Sequence, residues 1–486
     1  MTSNLIITLF RRLTQPAQPP SARLLNDWDQ HRQQLPAFVR GSAVAMKYLD
    51  FLSPLAWQTL PPRASPPHSQ QPAISYAAFA AACLIKLDQQ LVSMSSLRDY
   101  LLDHAELLWL LGFPCQPDPG CSLGFDPQGS LSTARHLTRL LRLTPNEVLQ
   151  LLLDSSVALL EAELTELGFS LSEAISLDTK HILAWVTENN PKSYVSEGRR
   201  LDKTRQPKGD KDCKLGCKRK RNRPPQQEQG QPQTPPKEPR PPTNFSALDE
   251  YYWGYASGVV ATKIPDWGEF VLAELTRTFD HDDLTYFFVL LAQVERRLGR
   301  KPTSGAFDAA FDAWYVYEYF YQAGGFAAVP FVGRGGYKQR IFDEQGLPLC
   351  QAGLAMPLKS TFWSKSTLVE HQAGRYACPL LFPEPTGQVC PIDHKNWPSG
   401  GCITSMPTAI GARLRYQLDR DSQAYKQLYK QRTANERINS QAKALDIERP
   451  KLRNYQAIAN RNTLIYILIN LRALHRIRRK KAQLGL

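Results

Sequence analysis

Apolar positions recur at helical spacing through the N-terminal part of the chain. Between residues 23 and 167, apolar side chains return every three or four positions, as in SSLRDYLLDHAELLWLLGF and TPNEVLQLLLDSSVALLEAELTEL. This spacing places them on one face of a helix. Pro-rich breaks at 54–72 and 114–128 separate the predicted helices. The pattern predicts an all-α N-terminal domain over residues 1–170, and leaves open whether it binds DNA, mediates dimerisation or only packs.

The pattern becomes strand-like in the next part of the chain. The stretch AISLDTKHILAWV at 174–186 is rich in β-branched residues, which is typical of a buried strand. Further strand-like stretches alternate with two helical ones, in the order β, β, β, α, β, α, β. This order predicts an α/β fold in which helices cover a mixed sheet. We assign this core to residues 171–332 and 413–475, followed by a basic tail at 476–486.

Two segments interrupt the predicted core. Residues 190–245 are rich in Pro and Gln, and between 199 and 240 there are 14 Lys or Arg against 5 Asp or Glu. Such a composition predicts a disordered basic insertion that can contact phosphates without sequence preference. Residues 333–412 are rich in Gly, Pro and Cys with short strand-like runs, which indicates a β-rich insertion subdomain.

The charge balance changes the set of expected partners. Lys and Arg outnumber Asp and Glu by 59 to 45, which gives a net charge of +14 and favours nucleic acid. The longest apolar runs, such as TLIYILIN at 463–470, are too short to span a membrane. The N-terminus has no secretory pattern, and the nine cysteines are irregularly spaced. We therefore expect a cytoplasmic protein without a membrane partner and without a disulfide framework.

One predicted helix carries two separate stripes. In YKQRTANERINSQAK, at 100° per residue, four polar residues fall within about 60° of each other on a helical wheel; they are Tyr429, Arg432, Glu436 and Lys443. An opposite arc of about 80° is apolar and can pack on a core; it contains Ala434, Ile438, Ala442 and Leu445. The polar stripe is either a solvated surface or part of a site.

Three acids are candidates for a common site. Asp178 lies within the first predicted strand, Asp308 ends a later strand, and Glu436 lies on the two-striped helix. Carboxylates that converge from strands and a helix suit two hard divalent cations, which leave coordination positions for phosphate and water. The geometry would suit phosphoryl transfer.

The motifs resemble those of the DDE transposases of bacterial insertion sequences, in the insertion-sequence-four group. That group carries tyrosine, arginine, glutamate and lysine separated by two, three and six residues, and the polar stripe matches this spacing without a gap. SLDTKHI resembles the segment of the family's first aspartate, and FDAAFDAWYVYEYF resembles that of its second. The resemblance covers about 170–475.

The resemblance implies a ribonuclease-H-like catalytic core and a mechanism of two-metal phosphoryl transfer. Asp178, Asp308 and Glu436 would hold two Mg²⁺ or Mn²⁺ ions, while Arg432 and Lys443 reach DNA phosphates and Tyr429 stacks or hydrogen bonds there. The partners would be double-stranded DNA, namely transposon terminal inverted repeats and target DNA, bound by a homodimer. Some relatives hold a flipped base with a tryptophan of the inserted subdomain, for which Trp363 is the candidate; the alternative is a core tryptophan.

Several residues allow other interpretations. Asp312 could replace Asp308 as the second acid, but we assign it to helix capping because it lies at a predicted helix start. His181 could be a general base, although a strand histidine is more often structural. The subdomain also contains four cysteines that could bind one structural zinc ion; they are Cys350, Cys378, Cys390 and Cys402. Their spacing lacks paired CxxC motifs, so buried or free thiols are the alternative.

The sequence supports a transposase that cuts and joins DNA. A structure-selective nuclease of the same fold is one alternative. A transposase-derived DNA-binding protein that no longer catalyses is another, against which the three acids argue.

Overall fold

The computed structural model describes residues 25–64, 73–190, 202–219, 249–332, 340–365, 368–392 and 397–486. Helices fill the N-terminal part of this range. They are α1 (Leu25–Gln30), α2 (Ala37–Arg40), α3 (Ala43–Leu52), α4 (Tyr76–Asp88), α5 (Met94–Asp103), α6 (Glu106–Leu110), α7 (Pro127–Ser130), α8 (Ala134–Leu143) and α9 (Asn146–Thr165). A short antiparallel ladder interrupts them, formed by β1 (Gln116–Pro117) and β2 (Phe125–Asp126).

A mixed six-stranded sheet follows. Its strands are β3 (Ala174–Leu183), β4 (Lys214–Arg219), β5 (Asp249–Ile264), β6 (Gly268–Thr278), β7 (Ser304–Ala306) and β8 (Ala327–Ala328). β5 pairs antiparallel with β3, β4 and β6, whereas β7 runs parallel to β3 and β8 runs parallel to β7. β3 therefore lies between the antiparallel and the parallel parts of the sheet. The predicted α/β class and the predicted element order are confirmed, with β4 as an additional strand.

Helices pack against this sheet. They are α10 (Phe287–Leu298), α11 (Trp314–Gln322), α13 (Gln423–Tyr429), α14 (Thr433–Ala444) and α15 (Tyr455–Leu484), while α12 (Gly411–Gln417) packs on α11. The apolar stripe predicted for α14 is buried, with Ala434, Ile438 and Ala442 fully inaccessible. This burial turns the opposite, polar stripe of α14 away from the core. In the ranges given above, no helix combines the length and apolar character needed to cross a bilayer.

The N-terminal helices and the sheet share one continuous hydrophobic core. The last helix, α15, contacts both α9 and β6. Its buried Asn470 donates hydrogen bonds to Ser156 Oγ on α9 (3.0 Å) and to the carbonyl of Val271 on β6 (2.8 Å). A buried amide with two fixed partners specifies how these three elements dock. The sequence boundary near residue 170 therefore does not separate two hydrophobic cores.

The predicted β-rich subdomain contains a three-stranded antiparallel sheet. Its strands are β9 (Leu358–Ser364), β10 (His371–Ala377) and β11 (Ile403–Pro407), with β10 in the centre. Its buried hydrophobic cluster is small and consists of Met356, Tyr376, Met406 and Ala412. Apolar packing alone therefore gives this subdomain little stability.

Part of the basic insertion differs from the prediction. The described residues 202–219 dock on the sheet and include β4, which pairs with the first half of β5. Asp210 is buried and accepts hydrogen bonds from the Tyr255 hydroxyl at 2.9 and 2.8 Å. A buried acid with a fixed partner anchors the segment despite its polar composition. The rest of the predicted insertion, 191–201 and 220–245, lies outside the described residues.

Candidate active site

Asp178 lies on β3, at the centre of the sheet. Its carboxylate accepts a hydrogen bond from the backbone N–H of Thr179 (2.9 Å) and one from the side-chain amide of Asn439 on α14 (3.0 Å). Burial raises the pKa of Asp178 to about 6, and the negative charge of Asp308 contributes to this rise. Asp178 is therefore a fixed carboxylate beside a second acid.

Asp308 reaches the same region from the neighbouring parallel strand. Ser176 on β3 pairs with Ala306 on β7, so Asp178 and Asp308 each lie two residues beyond the same paired position of these parallel strands. Asp308 follows β7 by two residues and accepts a hydrogen bond from the backbone N–H of Ala310 (2.8 Å), which caps a single 3₁₀ turn. The structure thus brings Asp178 and Asp308 together, although they are far apart in the sequence.

A third aspartate joins this pair. The hydroxyl of Thr179 donates a hydrogen bond to Oδ1 of Asp283 (2.7 Å). Burial raises the pKa of Asp283, and the charge of Asp308 raises it further. The sequence analysis did not single out Asp283, because an aspartate before an apolar-periodic stretch is typical of a helix start. Three carboxylates are consequently concentrated at the edge of β3.

The predicted polar stripe lies on two helices joined by a turn, and not on the single helix that was predicted. The chain passes from α13 through the 3₁₀ turn Lys430–Arg432 into α14. Arg432 forms an ion pair with Glu436 (3.2 Å) and lies 3.4 Å from the Tyr429 hydroxyl. Lys443, at the far end of α14, pairs instead with Glu448 (3.7 Å).

Arg432 connects the stripe to the acids. Burial alone would lower the pKa of Arg432, but the hydrogen bond with Tyr429 and the charges of Glu436 and Asp178 outweigh burial and raise it. The guanidinium therefore interacts with an acid of the helix and an acid of the sheet at once. In this arrangement the Glu436 carboxylate is paired with Arg432. Among the described residues it does not form a preformed cation site with Asp178 and Asp308.

The donor chemistry at the acids suits a hard divalent cation. Carboxylate oxygens are preferred ligands of Mg²⁺, and the side-chain oxygen of Asn439 is buried without a hydrogen-bond partner among the described residues. Within the same ranges, however, no three His, Cys, Asp or Glu side chains form a ready ligand set. Asp178 and Asp308 could hold a cation as placed, whereas Glu436 could join only after leaving Arg432.

Asp312 has a different structural role from the one predicted. Its carboxylate accepts two hydrogen bonds from Arg415 (2.9 and 2.7 Å), one from the Tyr317 hydroxyl (2.9 Å) and one from the backbone N–H of Val332 (2.8 Å). Its side chain is 2% exposed. Helix α11 has no side-chain cap, so the capping assignment is wrong. Asp312 instead joins α11, α12 and the segment after β8.

His181 packs as a structural residue. Its ring lies 4.4 Å from the ring of Phe279, centroid to centroid. Burial lowers the pKa of His181 to about 4, and the charges of Lys218 and Lys180 lower it further. A neutral histidine packed against an aromatic ring is poorly suited to act as a general base near neutral pH.

Trp363 lies on β9, and its side chain is 57% exposed. The indole N–H donates a hydrogen bond to Glu370 (3.1 Å). The alternative assignment of Trp363 to a hydrophobic core is therefore wrong. Its ring is accessible to a ligand of the subdomain.

The four cysteines proposed to bind zinc line one small cavity of the subdomain. All four are free thiols. Burial raises the pKa of Cys402 to about 12, and the adjacent Cys378 and Cys350 contribute to the rise. Cysteines that are spread over the subdomain sequence therefore lie around one cavity.

Asn439 is a second site residue that the sequence alone did not indicate. On the helical wheel it falls about 60° from Glu436, between the polar and the apolar stripes of α14. The sequence signal that could have identified Asn439 is its place at the stripe boundary, three residues after the candidate acid Glu436. Its role depends on the docking of α14 against β3, which the helix sequence alone does not specify.

Comparison with protein-family models finds no matching family, and comparison with curated proteins finds no significant match.

Proposed function

We propose that this protein is a DDE transposase that cleaves transposon-end DNA and transfers the cut strand by phosphoryl transfer. The observation that carries the proposal is the adjacency of Asp178 and Asp308 beside α14, the helix that carries Glu436 and Lys443 of the motif. Structural ion pairing does not account for this adjacency, because the charge of Asp308 raises the pKa of Asp178, and such repulsion between like charges destabilises a fold. Clustered carboxylates of this kind mark functional sites.

The residues take distinct roles in this proposal. Asp178 and Asp308 would hold the divalent cations, which when bound stabilise the attacking and leaving oxygens of an in-line displacement. Asn439 positions Asp178 through its amide N–H. The Glu436 carboxylate leaves its ion pair with Arg432 and joins the cation site. Arg432 is then free to bind a DNA phosphate. A guanidinium suits this task because it can donate two parallel hydrogen bonds.

The same proposal includes the finer fold and the partners. The mixed sheet with its parallel extension at β7 and β8 is compatible with a ribonuclease-H-like core. The net charge of +14 supports binding of double-stranded DNA, namely terminal inverted repeats and target DNA. The exposed Trp363 could stack on an unpaired base. Joining two DNA ends requires two active sites, so we propose a homodimer on DNA.

A strand-transfer assay tests the proposal. The substrate is an oligonucleotide duplex copied from the inverted repeats that flank the gene, incubated with target plasmid and Mg²⁺ or Mn²⁺. Wild-type protein is expected to give joined products, whereas Asp178→Asn and Glu436→Gln are expected to give none. Glu166→Gln is the matched control, because Glu166 is also an exposed acid in an ion pair, with Lys481.

Other outcomes separate the alternatives. Metal-dependent cleavage without joining would support a structure-selective nuclease. Sequence-specific binding with neither cleavage nor joining would support a DNA-binding protein that has lost catalysis. Equal activity of wild type and Asp178→Asn would refute a role for the acids.

A further inference from the structure

We propose a structural zinc site in the β-rich subdomain, with four thiolate ligands from Cys350, Cys378, Cys390 and Cys402. This site is separate from the proposed active site and does not depend on the proposed function. Thiolate ligands select zinc, whereas carboxylate ligands suit Mg²⁺, so the two sites would not compete for one metal.

The four cysteines converge from distant positions in the sequence. The first and the last of these cysteines are 52 positions apart, yet all four line the same cavity. The cavity measures about 10 Å³, which is about the space of one water-sized sphere. It has room for a single ion and not for an organic ligand. The remaining lining is mostly apolar and includes Leu354, Leu380 and Ile392, so the thiols are the main metal-binding groups at the cavity.

Glycines beside the cysteines shape the backbone so that the cysteines can approach each other. Gly353 has a φ of +75° and donates its N–H to the carbonyl of Cys350 (3.0 Å), which closes a tight turn after the first cysteine. Gly400 and Gly401, directly before Cys402, have φ values of +100° and +79°. A Cβ at Gly401 would lie 2.8 Å from the Cβ of Cys378. Only glycine allows this close approach, so the turn brings the chain before Cys402 against Cys378.

The β-rich subdomain has a small hydrophobic core. The buried cluster of the subdomain has four members, and Cys350 and Cys402 are packed against it. Leu358 and Ile403, on the two outer strands, are 44% and 54% exposed. A small loop-rich unit of this kind needs a crosslink or a metal to hold its strands together. A tetrahedral zinc ion with sulfur ligands at about 2.3 Å provides four attachment points at once.

Zinc binding requires a local adjustment. No group of three metal-ligating side chains in the described ranges is preformed around an ion. The four thiols therefore turn towards the centre of the cavity and lose their protons as zinc enters. Metal binding and ordering of the subdomain are consequently coupled.

Metal content tests the proposal without any DNA substrate. The full chain is purified under reducing conditions, and zinc is measured by mass spectrometry. We expect one zinc ion per chain in the wild type, and loss of it in Cys378→Ser and in Cys402→Ser. Cys121→Ser is the matched control, since Cys121 is half-buried and lies outside the subdomain. Replacement of zinc by cobalt should give a thiolate-to-metal charge-transfer band in the wild type and in Cys121→Ser, and a weaker band or none in Cys378→Ser and Cys402→Ser.

Alkylation of the wild type covers the case in which the serine variants do not fold. Four specific cysteines should react slowly with a thiol reagent, and should react quickly after a chelator is added. Absence of zinc, with these four thiols reacting equally fast before and after addition of the chelator, would overturn the proposal. Absence of zinc with fewer free thiols in denaturant would overturn it in favour of disulfides. Zinc that persists in both serine variants would place the metal elsewhere and would also overturn it.

Discussion

The side-chain amide of Asn439 donates a hydrogen bond to Oδ2 of Asp178 at 3.0 Å, across the interface between α14 and β3. The other carboxylate oxygen accepts from the backbone N–H of Thr179. Asp178 is therefore oriented by both its own strand and the helix that carries Glu436. Partners that orient a metal ligand typically contribute 10- to 100-fold to metal affinity or activity.

We predict that Asn439→Ala lowers the apparent affinity for Mg²⁺ in the cleavage assay by about 10- to 100-fold, because Asp178 loses its orienting donor. The measurement is the rate as a function of Mg²⁺ concentration. Asn435→Ala is the matched control, since Asn435 lies on the same helix and donates to Ser176 Oγ on the same strand (2.9 Å). An equal loss of metal affinity in both variants would indicate a general packing defect instead.

A second prediction concerns stability. Burial and the neighbouring acids raise the pKa of Asp178 from 3.8 to about 6. The folded state thus binds more protons than the unfolded state between these pH values, and its stability falls as the pH rises through them. At neutral pH without divalent ions, Asp178→Asn is expected to stabilise the fold by about 1–3 kcal/mol.

Urea unfolding with a chelator present measures this effect. The difference between Asp178→Asn and the wild type should shrink as the pH approaches about 4, where Asp178 is protonated in the folded state. A variant that is less stable than the wild type at neutral pH would contradict the electrostatic explanation. The same variant is expected to be inactive, so gain of stability and loss of activity should coincide.

A third prediction is the pH dependence of cleavage. Cation binding needs the ionised form of Asp178, so activity at limiting Mg²⁺ should fall as the pH drops through about 6. One pH unit below the pKa, about a tenth of the carboxylates are ionised. High Mg²⁺ should partly restore the rate, because the cation competes with the proton. A rate that is constant across this range would exclude Asp178 as a ligand.

Asp308 and Asp312 provide a fourth prediction, since they are close in sequence and differ in environment. Asp308→Asn is expected to abolish cleavage with little loss of stability. Asp312→Asn is expected to destabilise the fold by about 3–5 kcal/mol, because it leaves the half-buried Arg415 without its carboxylate. Thermal unfolding combined with the cleavage assay distinguishes them. Loss of activity in a stable Asp312→Asn protein would reverse the assignment.

The fifth prediction concerns Trp363. Trp363→Ala should change stability by less than about 0.5 kcal/mol, because the side chain is largely exposed. It should weaken binding to end DNA that has an unpaired base by about 5- to 150-fold, which corresponds to 1–3 kcal/mol of stacking. Trp185→Ala is the control, because Trp185 is a second exposed tryptophan. Equal effects of both substitutions would remove the specific role of Trp363.

Local patterns predicted much of the fold. The alternation of strands and helices after residue 174 and the buried stripe of α14 depend on short-range periodicity, and both agree with the structure. β4 was not predicted because its segment is strongly basic, and its order depends on the buried Asp210–Tyr255 pair. Such long-range pairing leaves no periodic signal in the sequence.

The candidate site was predictable in part for the same reason. The helical spacing of Tyr429, Arg432 and Glu436 predicts that they are neighbours, and the structure brings them into contact although a 3₁₀ turn divides the predicted helix. Asp283 and Asn439 reach Asp178 only through tertiary packing, so their sequence positions indicate a helix start and a stripe boundary. The ion pair between Arg432 and Glu436 likewise depends on side-chain conformation.

The position of α15 in the chain has a consequence for biosynthesis. This helix packs on both the N-terminal helices and the sheet, and its buried side chains extend as far as Ile477. The shared core therefore lacks a central element until the ribosome has translated almost to that residue. A product terminated before α15 would expose the apolar faces of α9 and β6 and become a target for cellular proteases, so only chains that include α15 can accumulate as folded protein.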